Sequence, residues 1–449
     1  KSALGSIQID RARRKLHFGG ELEDAHSCPD KVHVTSCSGT MSNRWPLVLP
    51  VLFPSGTFFS LPDWFRQNCF MAWVFFMLFI VSSCSSLSSL KFWGSDEIDP
   101  DEPVVLEAIK NAININVDWN RSFSGDNLLG NFVPAFSSKS IFFADANGNI
   151  KSIDSNSGNI QWEQEVGELS SGVAAGFGII VVADVQGNMI SLNQDNGSVL
   201  WTVNLKGEVL SPPAIDAKFI IVKTGSGELL ALDKSNGEIL WSYRSKLPAL
   251  TIRGSSSPVI EGDNVYVTFD NGRLGVFELD SGFPIWDGAI SYVRGASELE
   301  NLIDSDSDPV VEAGVVYTTN YQGNLTLFDI AQKRAIWQSE ASSFYSPLLI
   351  KGLIVLVESK SNLRSFFTKT LEESWTSDEY LNRQLSNPIS FSGYTLVGDY
   401  EGYIHVIDPL NGKTIGRKKI SKKPIKKIIS RSKNFYAVDE SFNLYSLSI

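Results

Sequence analysis

Beyond about residue 140, short apolar segments alternate with polar turns that contain glycine. The clearest unit has strand-like segments at residues 214–215, 219–222, 227–232 and 237–241. Glycine-containing turns separate the last three segments, as β-hairpins require. Strand and turn signals recur together along the chain, whereas no helical periodicity does. The pattern therefore predicts a unit of four short antiparallel strands.

This unit recurs with a common pattern: an acidic residue, two further residues, glycine, a strand, aspartate, a turn, and a strand that ends in tryptophan. The copies span residues 145–162, 184–201, 224–241 and 270–286, with weaker copies at 320–337, 359–375 and 399–416. The copies start about 40 to 50 residues apart, a period typical of propellers and solenoids. A β-helix needs shorter repeats and a helical solenoid needs a helical period, so the pattern favours a β-propeller of four-stranded blades.

The two ends of the repeat array are incomplete in a complementary way. An eighth copy begins at Asp439 and reaches the C-terminus before its tryptophan-bearing strand, while residues 115–119 form an isolated strand pattern that ends in Trp119. Pairing these segments would remove an open sheet edge. We therefore predict an all-β, eight-bladed propeller of antiparallel blades over residues 115–449, closed by the N-terminal strand near Trp119. The tryptophans are expected to fill the wedges between neighbouring blades.

The variation in repeat length lies mainly between the outer-strand tryptophan and the proline of the next inner strand. This connection has 12 residues from Trp201 to Pro213, but 17 from Trp241 to Pro258 and 23 from Trp286 to Pro309. In a propeller these connections emerge on one face, and the two longest belong to adjacent blades. We therefore expect two extended loops side by side, where function is commonly found.

Composition narrows the classes of function. The chain has 449 residues and a formal charge of -11, which argues against a general nucleic-acid binder. None of the four cysteines and only one of the four histidines, His405, lies in the repeats. His405 is expected to be structural, and the recurrent Asp154 and Asp233 are expected to cap turns. The repeats therefore predict no catalytic residues, no metal site and no cofactor.

The N-terminal region shares no pattern with the repeats. Residues 1–70 are expected to be an untranslated or unstructured extension. Residues 71–83 form an apolar run too short to span a bilayer comfortably, and it leads into the sequence VSSC at residues 81–84. This motif resembles a bacterial lipobox, although a short hydrophobic helix with a chance cysteine is the alternative. We predict a lipoprotein signal peptide at 71–83, lipidation at Cys84 and a flexible acidic tether over 84–114.

The two long loops carry a more specific resemblance. The stretches LPALTIRGSSSPVI and ASELENLIDSDSDPVV resemble the BamB family of outer-membrane assembly lipoproteins, which are quinoprotein-like propellers. The resemblance extends over about residues 84–449. It implies that the loops bind the periplasmic domains of the barrel-assembly protein BamA, through residues at positions that match the family motif. These residues are Leu250, Ile252, Arg253, Asp304 and Asp306.

The resemblance implies a non-catalytic scaffold that assists insertion of outer-membrane proteins and that contacts BamA and outer-membrane protein precursors. It also implies a lipid anchor on the periplasmic face of the outer membrane, since Ser85 follows the lipobox cysteine. Two alternatives stay open: a quinone- or calcium-dependent dehydrogenase-like propeller, and a propeller lipoprotein with another partner. The basic run at residues 417–427 is expected to be a solvated connection between blades, or alternatively a contact with anionic lipid headgroups.

Overall fold

The computed structural model describes residues 101–125, 130–246, 256–290 and 307–449, together with the backbone of two N-terminal strands. These strands, β1 (Ser6–Asp10) and β2 (Lys15–Gly19), form an antiparallel hairpin. The chain divides into two units, of which one combines Lys1–Glu21 with Asp101–Ile449. The other unit, Leu22–Pro100, lies outside the described residues. The part of the chain that is described holds no helix with the length and apolarity needed to cross a membrane.

Eight antiparallel four-stranded sheets form the blades of a β-propeller. Blade 1 contains β4 (Ala135–Ser137), β5 (Ser140–Ala144), β6 (Asn149–Asp154) and β7 (Ile160–Glu165). Blade 2 contains β8 (Ala174–Gly176), β9 (Ile179–Ala183), β10 (Asn188–Asn193) and β11 (Val199–Asn204). Blade 3 contains β12 (Ala214–Ile215), β13 (Phe219–Lys223), β14 (Glu228–Asp233) and β15 (Ile239–Arg244). Blade 4 contains β16 (Val259–Glu261), β17 (Asn264–Phe269), β18 (Arg273–Glu278) and β19 (Pro284–Ala289).

The second half of the ring repeats this arrangement. Blade 5 contains β20 (Val310–Glu312), β21 (Val315–Thr318), β22 (Asn324–Asp329) and β23 (Arg334–Glu340). Blade 6 contains β24 (Leu348–Ile350), β25 (Leu353–Val357), β26 (Leu363–Phe367) and β27 (Glu373–Ser377). Blade 7 contains β28 (Ile389–Phe391), β29 (Tyr394–Gly398), β30 (Tyr403–Ile407) and β31 (Thr414–Lys419). Blade 8 contains β32 (Ile425–Arg431), β33 (Asn434–Asp439), β34 (Leu444–Ser448) and the N-terminal strand β3 (Asn116–Arg121).

The predicted closure of the ring is confirmed. β3 pairs with the C-terminal β34 and forms the outermost strand of blade 8, with Trp119 opposite Ser446. The pairing has a bulge between Val117 and Trp119, and the tryptophans of the other blades lie at the same kind of bulge, as Trp201 does opposite Ser191. A segment from the start of the repeat array therefore completes the last blade in the register of the others.

The hydrophobic core lies between the blades, because each blade packs face to face against its neighbours. The second strand of a blade is covered on both faces, so β9 and β13 are buried at every position. The outermost strand is covered on one face only, so β11 alternates between half-buried and exposed residues. This difference explains why the second strands read as continuous apolar runs and the fourth strands read as alternating ones.

The tryptophans join adjacent blades. Trp201 of blade 2 donates a hydrogen bond from Nε1 to the Lys234 carbonyl oxygen of blade 3, at 3.0 Å. Its ring lies against Gly237, where a Cβ would come within 2.7 Å of the indole and where φ is +77°. The same bond to the next blade is made by Trp119 to Ser155, Trp162 to Gln194, Trp241 to Leu279 and Trp375 to Pro409. Glycine in this turn therefore admits the indole between the blades, as the wedge-filling role requires.

Blade 7 has Gly416 at the position where the outer strands of other blades carry tryptophan. The N-terminal chain near Ile113 packs there in place of an indole ring. The amides of Ala112 and Ile113 donate to the Ile415 carbonyl oxygen at 2.8 and 3.2 Å. A Cβ on Gly416 would lie 2.5 Å from the Ile113 carbonyl oxygen. The last part of the segment predicted to be a flexible tether thus lies on blade 7, a contact that the sequence did not indicate.

Candidate partner-binding face

The candidate site is the face on which the chain passes from the outer strand of one blade to the inner strand of the next. The predicted partner-binding residues Leu250, Ile252, Arg253, Asp304 and Asp306 fall in residues 247–255 and 291–306, outside the described residues. The predicted lipidation site Cys84 also lies outside them. The described residues on either side of these two segments are Lys246, Ser256, Ile290 and Ser307.

Both loops leave the ring beside the same hairpin turn. Asn271 donates from Nδ2 to Ser245 Oγ at 3.0 Å and to the Lys246 carbonyl oxygen at 3.1 Å, where the first loop begins. The amide of Ile290, where the second loop begins, donates to the Gly272 carbonyl oxygen at 2.9 Å. Asn271 and Gly272 are consecutive residues between β17 and β18, so a single turn holds the departing end of each loop.

The returning ends of the two loops are also bonded to each other. The first loop returns at Ser256 and the second at Ser307, and both residues are buried. Thr268 links them, because its carbonyl oxygen accepts from Ser256 Oγ at 3.1 Å and its hydroxyl donates to the Ser307 carbonyl oxygen at 2.9 Å. A second bond runs from the Ser257 amide to Asp308 Oδ1 at 2.5 Å. All four loop ends therefore surround the β17–β18 hairpin of blade 4.

A buried ion pair lies beneath these loop ends. Lys223 is 4% exposed and its ammonium lies 3.7 Å from Asp270 Oδ1. The ammonium also donates to Ser256 Oγ and, at 3.2 Å, to the Thr268 carbonyl oxygen. Burial raises the pKa of Asp270, and the adjacent Lys223 opposes that shift. The pair thus joins blades 3 and 4 at the base of the first loop.

Asp308 is a second, half-buried carboxyl of this face. Burial raises the pKa of Asp308, while the hydrogen bond from the Ser257 amide and the charges of Lys427 and Lys223 lower it. The carbonyl oxygen of Asp308 accepts from Ser346 Oγ at 2.8 Å. Asp308 therefore connects blade 4, blade 5 and the entrance to blade 6 around the returning end of the second loop.

Aspartates at the equivalent turn of other blades have a local role. Asp184 Oδ1 accepts the amide of Asn188 at 2.8 Å, and Asp399 Oδ1 accepts that of Tyr403 at 2.9 Å. The copy that contains Asp270 is one residue shorter, and its carboxylate faces Lys223 instead of capping its own turn. Two features of the sequence accompany this change: the turn after Asp270 is one residue shorter, and Thr224 stands in blade 3 at the position of the usual aspartate.

The predicted turn-capping role of the second recurrent aspartate is confirmed. Asp154 Oδ1 accepts the Ser157 amide at 2.8 Å, and Asp233 Oδ1 accepts the Ser235 amide at 2.7 Å. The backbone bond from Ser157 lowers the pKa of Asp154, and the hydroxyl and amide of Ser235 lower that of Asp233. Both carboxylates lie in exposed turns between the third and fourth strands.

His405 is fully buried in blade 7, where hydrogen bonds hold it in place. Its Nε2 lies 3.0 Å from Asp399 Oδ2, and Arg417 Nε donates to its Nδ1 at 3.0 Å. Arg383 also donates to Asp399 Oδ2, at 2.7 Å. The Tyr380 ring packs against the imidazole with 4.7 Å between centroids. This arrangement supports the structural role predicted for the histidine.

The basic run at residues 417–427 is partly structural. Arg417 pairs with Glu379 at 3.2 Å, and Lys418 donates to the Ile115 carbonyl oxygen at 2.8 Å. Lys426 pairs with Glu440 at 3.1 Å. Lys422 and Lys423 are exposed in the turn that leads into blade 8. The run therefore contributes both to the attachment of the N-terminal segment and to the solvated surface.

Among the residues that the structure describes, no three histidine, cysteine, aspartate or glutamate side chains are grouped to hold a metal ion. The repeat architecture defines an eight-bladed β-propeller. A crystal structure of BamB from Moraxella catarrhalis has this fold, with a TM-score of 0.68 and 23% identity over 74% of this chain and 100% of that one. A europium-containing methanol dehydrogenase shares the fold at a TM-score of 0.58 and 12% identity, covering 76% and 95% of the two chains.

Sequence comparison identifies the family within this class. The family model described as outer membrane protein assembly factor BamB matches residues 146–377. Outer membrane protein assembly factor BamB of Pseudomonas aeruginosa is 36% identical over 321 residues, covering 71% of this chain and 84% of the relative. The Escherichia coli K12 protein of the same description is 31% identical over 351 residues, covering 75% and 89%. The chain belongs to the BamB family.

Proposed function

We propose that this protein is a non-catalytic scaffold of outer-membrane protein assembly that binds the periplasmic domains of a BamA-like protein. Membership of the BamB family supports a role in outer-membrane protein assembly. The observation that carries the proposed site is the meeting of all four loop ends around the β17–β18 hairpin. A rigid scaffold that presents two loops together suits recognition of a folded partner.

The proposed contacts lie in the two loops. Leu250 and Ile252 would supply apolar contact area, and Arg253 would supply a planar, bidentate anchor of the kind enriched at interface centres. Asp304 and Asp306 would accept hydrogen bonds from the partner or orient Arg253. Because the loop ends are bonded to each other, contacts from the first and second loops would act on the same partner domain.

Further parts of the proposal concern the membrane and the substrates. Lipidation of Cys84 would hold the protein on the periplasmic face of the outer membrane. The outer strands β11 and β15 leave their outer edges unpaired and expose apolar residues, with Leu200 49% and Leu240 47% exposed. Such edges suit transient pairing with extended segments of outer-membrane protein precursors.

The docking site is tested by capture of purified periplasmic domains of a BamA-like protein. We expect Arg253→Ala and Asp304→Ala each to weaken capture strongly, because central interface anchors commonly contribute more than about 1 kcal/mol. Arg334→Ala and Asp195→Ala are matched controls. Asp195 lies in the turn between the third and fourth strands of blade 2, and Arg334 is the first residue of the fourth strand of blade 5, so both exposed residues lie towards the opposite face. Undiminished capture by both loop variants would exclude the proposed docking site.

The anchor is tested separately by labelling cells with radioactive palmitate. The wild-type protein is expected to incorporate label and to sediment with outer membranes, whereas Cys84→Ala should lose the label. Equal labelling of the two proteins would show that Cys84 is not the acylated residue.

A further inference from the structure

Lys223 is an exception within its own repeat. It occupies the last position of β13, whereas the second strands of blades 2, 4 and 6 end in the small or apolar residues Ala183, Phe269 and Val357. A buried ammonium at such a position is unfavourable unless charge and hydrogen bonds compensate it. The compensating charge and hydrogen bonds come from blade 4, through Asp270, Ser256 and Thr268.

Among the described residues, the hydrogen bonds of Lys223 lead towards the loop ends. Its ammonium donates to Ser256, the returning residue of the first loop, and to the Thr268 carbonyl oxygen at 3.2 Å. Thr268 then donates through its hydroxyl to Ser307, the returning residue of the second loop, at 2.9 Å. Two hydrogen-bonded steps therefore connect one ammonium to both loops.

Asp270 completes this arrangement from below the departing ends. It precedes Asn271 and Gly272, which hold the departing ends of the first and second loops. Asp270 is 5% exposed, and its carboxylate faces the ammonium at 3.7 Å. The pair thus lies between the turn from which both loops leave and the residues at which both return.

We infer that Lys223 and Asp270 are positioning residues, which set the placement of the two loops and thereby determine binding of the BamA-like partner without contacting it. This inference rests on the proposed function and deepens it, because it assigns a determinant of the same docking site in the described ring. A docking site built from two loops depends on their mutual placement, since both must meet one rigid partner at once.

The positioning role can be separated from a role in stability. Replacing both members of a buried ion pair by apolar residues is often neutral for folding, whereas removing one member leaves the other charge unpaired. Lys223→Met combined with Asp270→Leu would fill the space of the ion pair with apolar side chains of similar volume. It would also remove the hydrogen bonds from Lys223 to Ser256 and Thr268. This double variant is expected to unfold near the wild-type temperature while its loop ends are held less firmly.

A matched control exists elsewhere in the ring. Arg383 is 2% exposed and pairs with the fully buried Asp399 at 2.7 Å, in the connection that leads to blade 7. Arg383→Met therefore removes an equally buried cation while leaving the contacts of blades 3 and 4 unchanged. It is expected to lower the unfolding temperature and to leave partner binding at the wild-type level.

The test measures the dissociation constant between the full chain and purified periplasmic domains of a BamA-like protein, together with the unfolding temperature. The double variant is expected to bind at least about tenfold more weakly than wild type, the change that corresponds to loss of one good interface anchor. Its Ser257 amide, which is bonded to Asp308, is expected to exchange with deuterium faster. Wild-type affinity of the folded double variant would overturn the inference.

Arg253→Ala in the same series separates this inference from the proposed function. Weak binding by Arg253→Ala together with normal binding by the double variant would leave the docking site in place and overturn the positioning role alone. Weak binding by the double variant together with normal binding by Arg253→Ala would support the positioning role and overturn the assignment of Arg253.

Discussion

His405 shows how a single buried side chain can be fixed in one protonation state. Arg417 has no acceptor, so its Nε must donate to His405 Nδ1, and the ring proton must then lie on Nε2 and point to Asp399. Burial lowers the pKa of His405; the Asp399 carboxylate opposes this shift, and the charges of Arg417 and Arg383 add to it. The folded protein therefore holds a neutral imidazole between a carboxylate and a guanidinium.

This arrangement predicts that stability falls in mild acid. In the unfolded chain His405 has its ordinary pKa near 6.5, so below that pH the unfolded state binds a proton that the folded state does not. Between pH 7.5 and 5.5 the free energy of unfolding should therefore decrease by about 1 kcal/mol on this account. Asp399 does not act in this window, because bonds from His405 and Arg383 outweigh burial and hold its pKa below 3.8.

Urea unfolding at the two pH values, on wild type and His405→Gln, would measure the effect. Glutamine can donate to Asp399 and accept from Arg417 but does not titrate, so the variant should lack this part of the pH dependence. An equal loss of stability in both proteins would show that another group is responsible.

The sequence predicted the role of His405 but not its partners. A lone histidine in an alternating strand indicates a buried side chain, and this pattern was enough to predict that His405 is structural. Arg383 lies in a connection and Arg417 in a basic run, and both patterns are typical of solvated residues. The sequence pattern did not indicate a role for Lys223 for a similar reason, since the buried lysine is paired with Asp270 of the next blade. Pairings between blades depend on the assembled ring, which a local pattern does not contain.

At the scale of elements, the outermost strand and the following turn act as one joint between blades. Tryptophan at the bulge and glycine in the next blade's turn recur together, as Trp241 and Gly282 do. Blade 7 uses the N-terminal chain in place of tryptophan. There Arg417 exchanges hydrogen bonds with Asn111 and donates to the Glu107 carbonyl oxygen, so the chain from residue 107 to 115 follows β31.

A side chain at Gly416 should displace this N-terminal segment. In Gly416→Ala the new methyl group would lie 2.5 Å from the Ile113 carbonyl oxygen, which cannot yield without breaking its neighbouring bonds to Ile415. Overpacking of this kind typically costs about 1–3 kcal/mol. We expect a lower unfolding temperature and faster proteolysis within residues 101–115.

Gly176→Ala provides the control for this prediction. Gly176 also lies in a strand, has no positive φ, and a Cβ there would meet only Ile215 at 3.7 Å, an ordinary contact. If Gly416→Ala resisted protease as well as Gly176→Ala does, the N-terminal segment would not depend on the close approach at Gly416.

The sequence located the blades well because each is a local unit of about 40 residues with its own turn signals. It described blade 7 only as a weak copy ending in Gly416, and the reason lies some 300 residues away in the chain. Ile113 and Ile115 of the N-terminal segment pack against the core between blades 7 and 8, and Asn111 exchanges hydrogen bonds with Arg417. A local pattern does not contain these contacts, because the acidic stretch just before the segment favoured a tether and the partner residues lie far along the chain.

At the scale of the whole molecule, the ring holds its loops in place only while it is closed. Blades contact their two neighbours, so an open ring would leave blades 1 and 8 with uncovered faces and β34 with an unpaired edge. β3 prevents this by pairing with β34 and by placing Trp119 between blades 8 and 1, where it bonds to Ser155 at 3.3 Å. The placement of the loops of blades 3 to 5 therefore depends on a strand at the far side of the ring.

Shortened chains would test this dependence. A chain that begins at Asp101 keeps β3 and the segment on blade 7, so it is expected to unfold at the same urea concentration as the full chain. A chain that begins at Ser122 lacks both, and loses the Trp119 ring, whose removal alone typically costs about 3–5 kcal/mol. It should unfold at a much lower urea concentration and associate through the free edge of β34, detectable as larger species by gel filtration. Because the Asp101 chain retains every closing contact, any instability shared by both chains would point to residues 1–100 instead of β3. A monomeric Ser122 chain with the stability of the Asp101 chain would show that the ring is held without its closing strand.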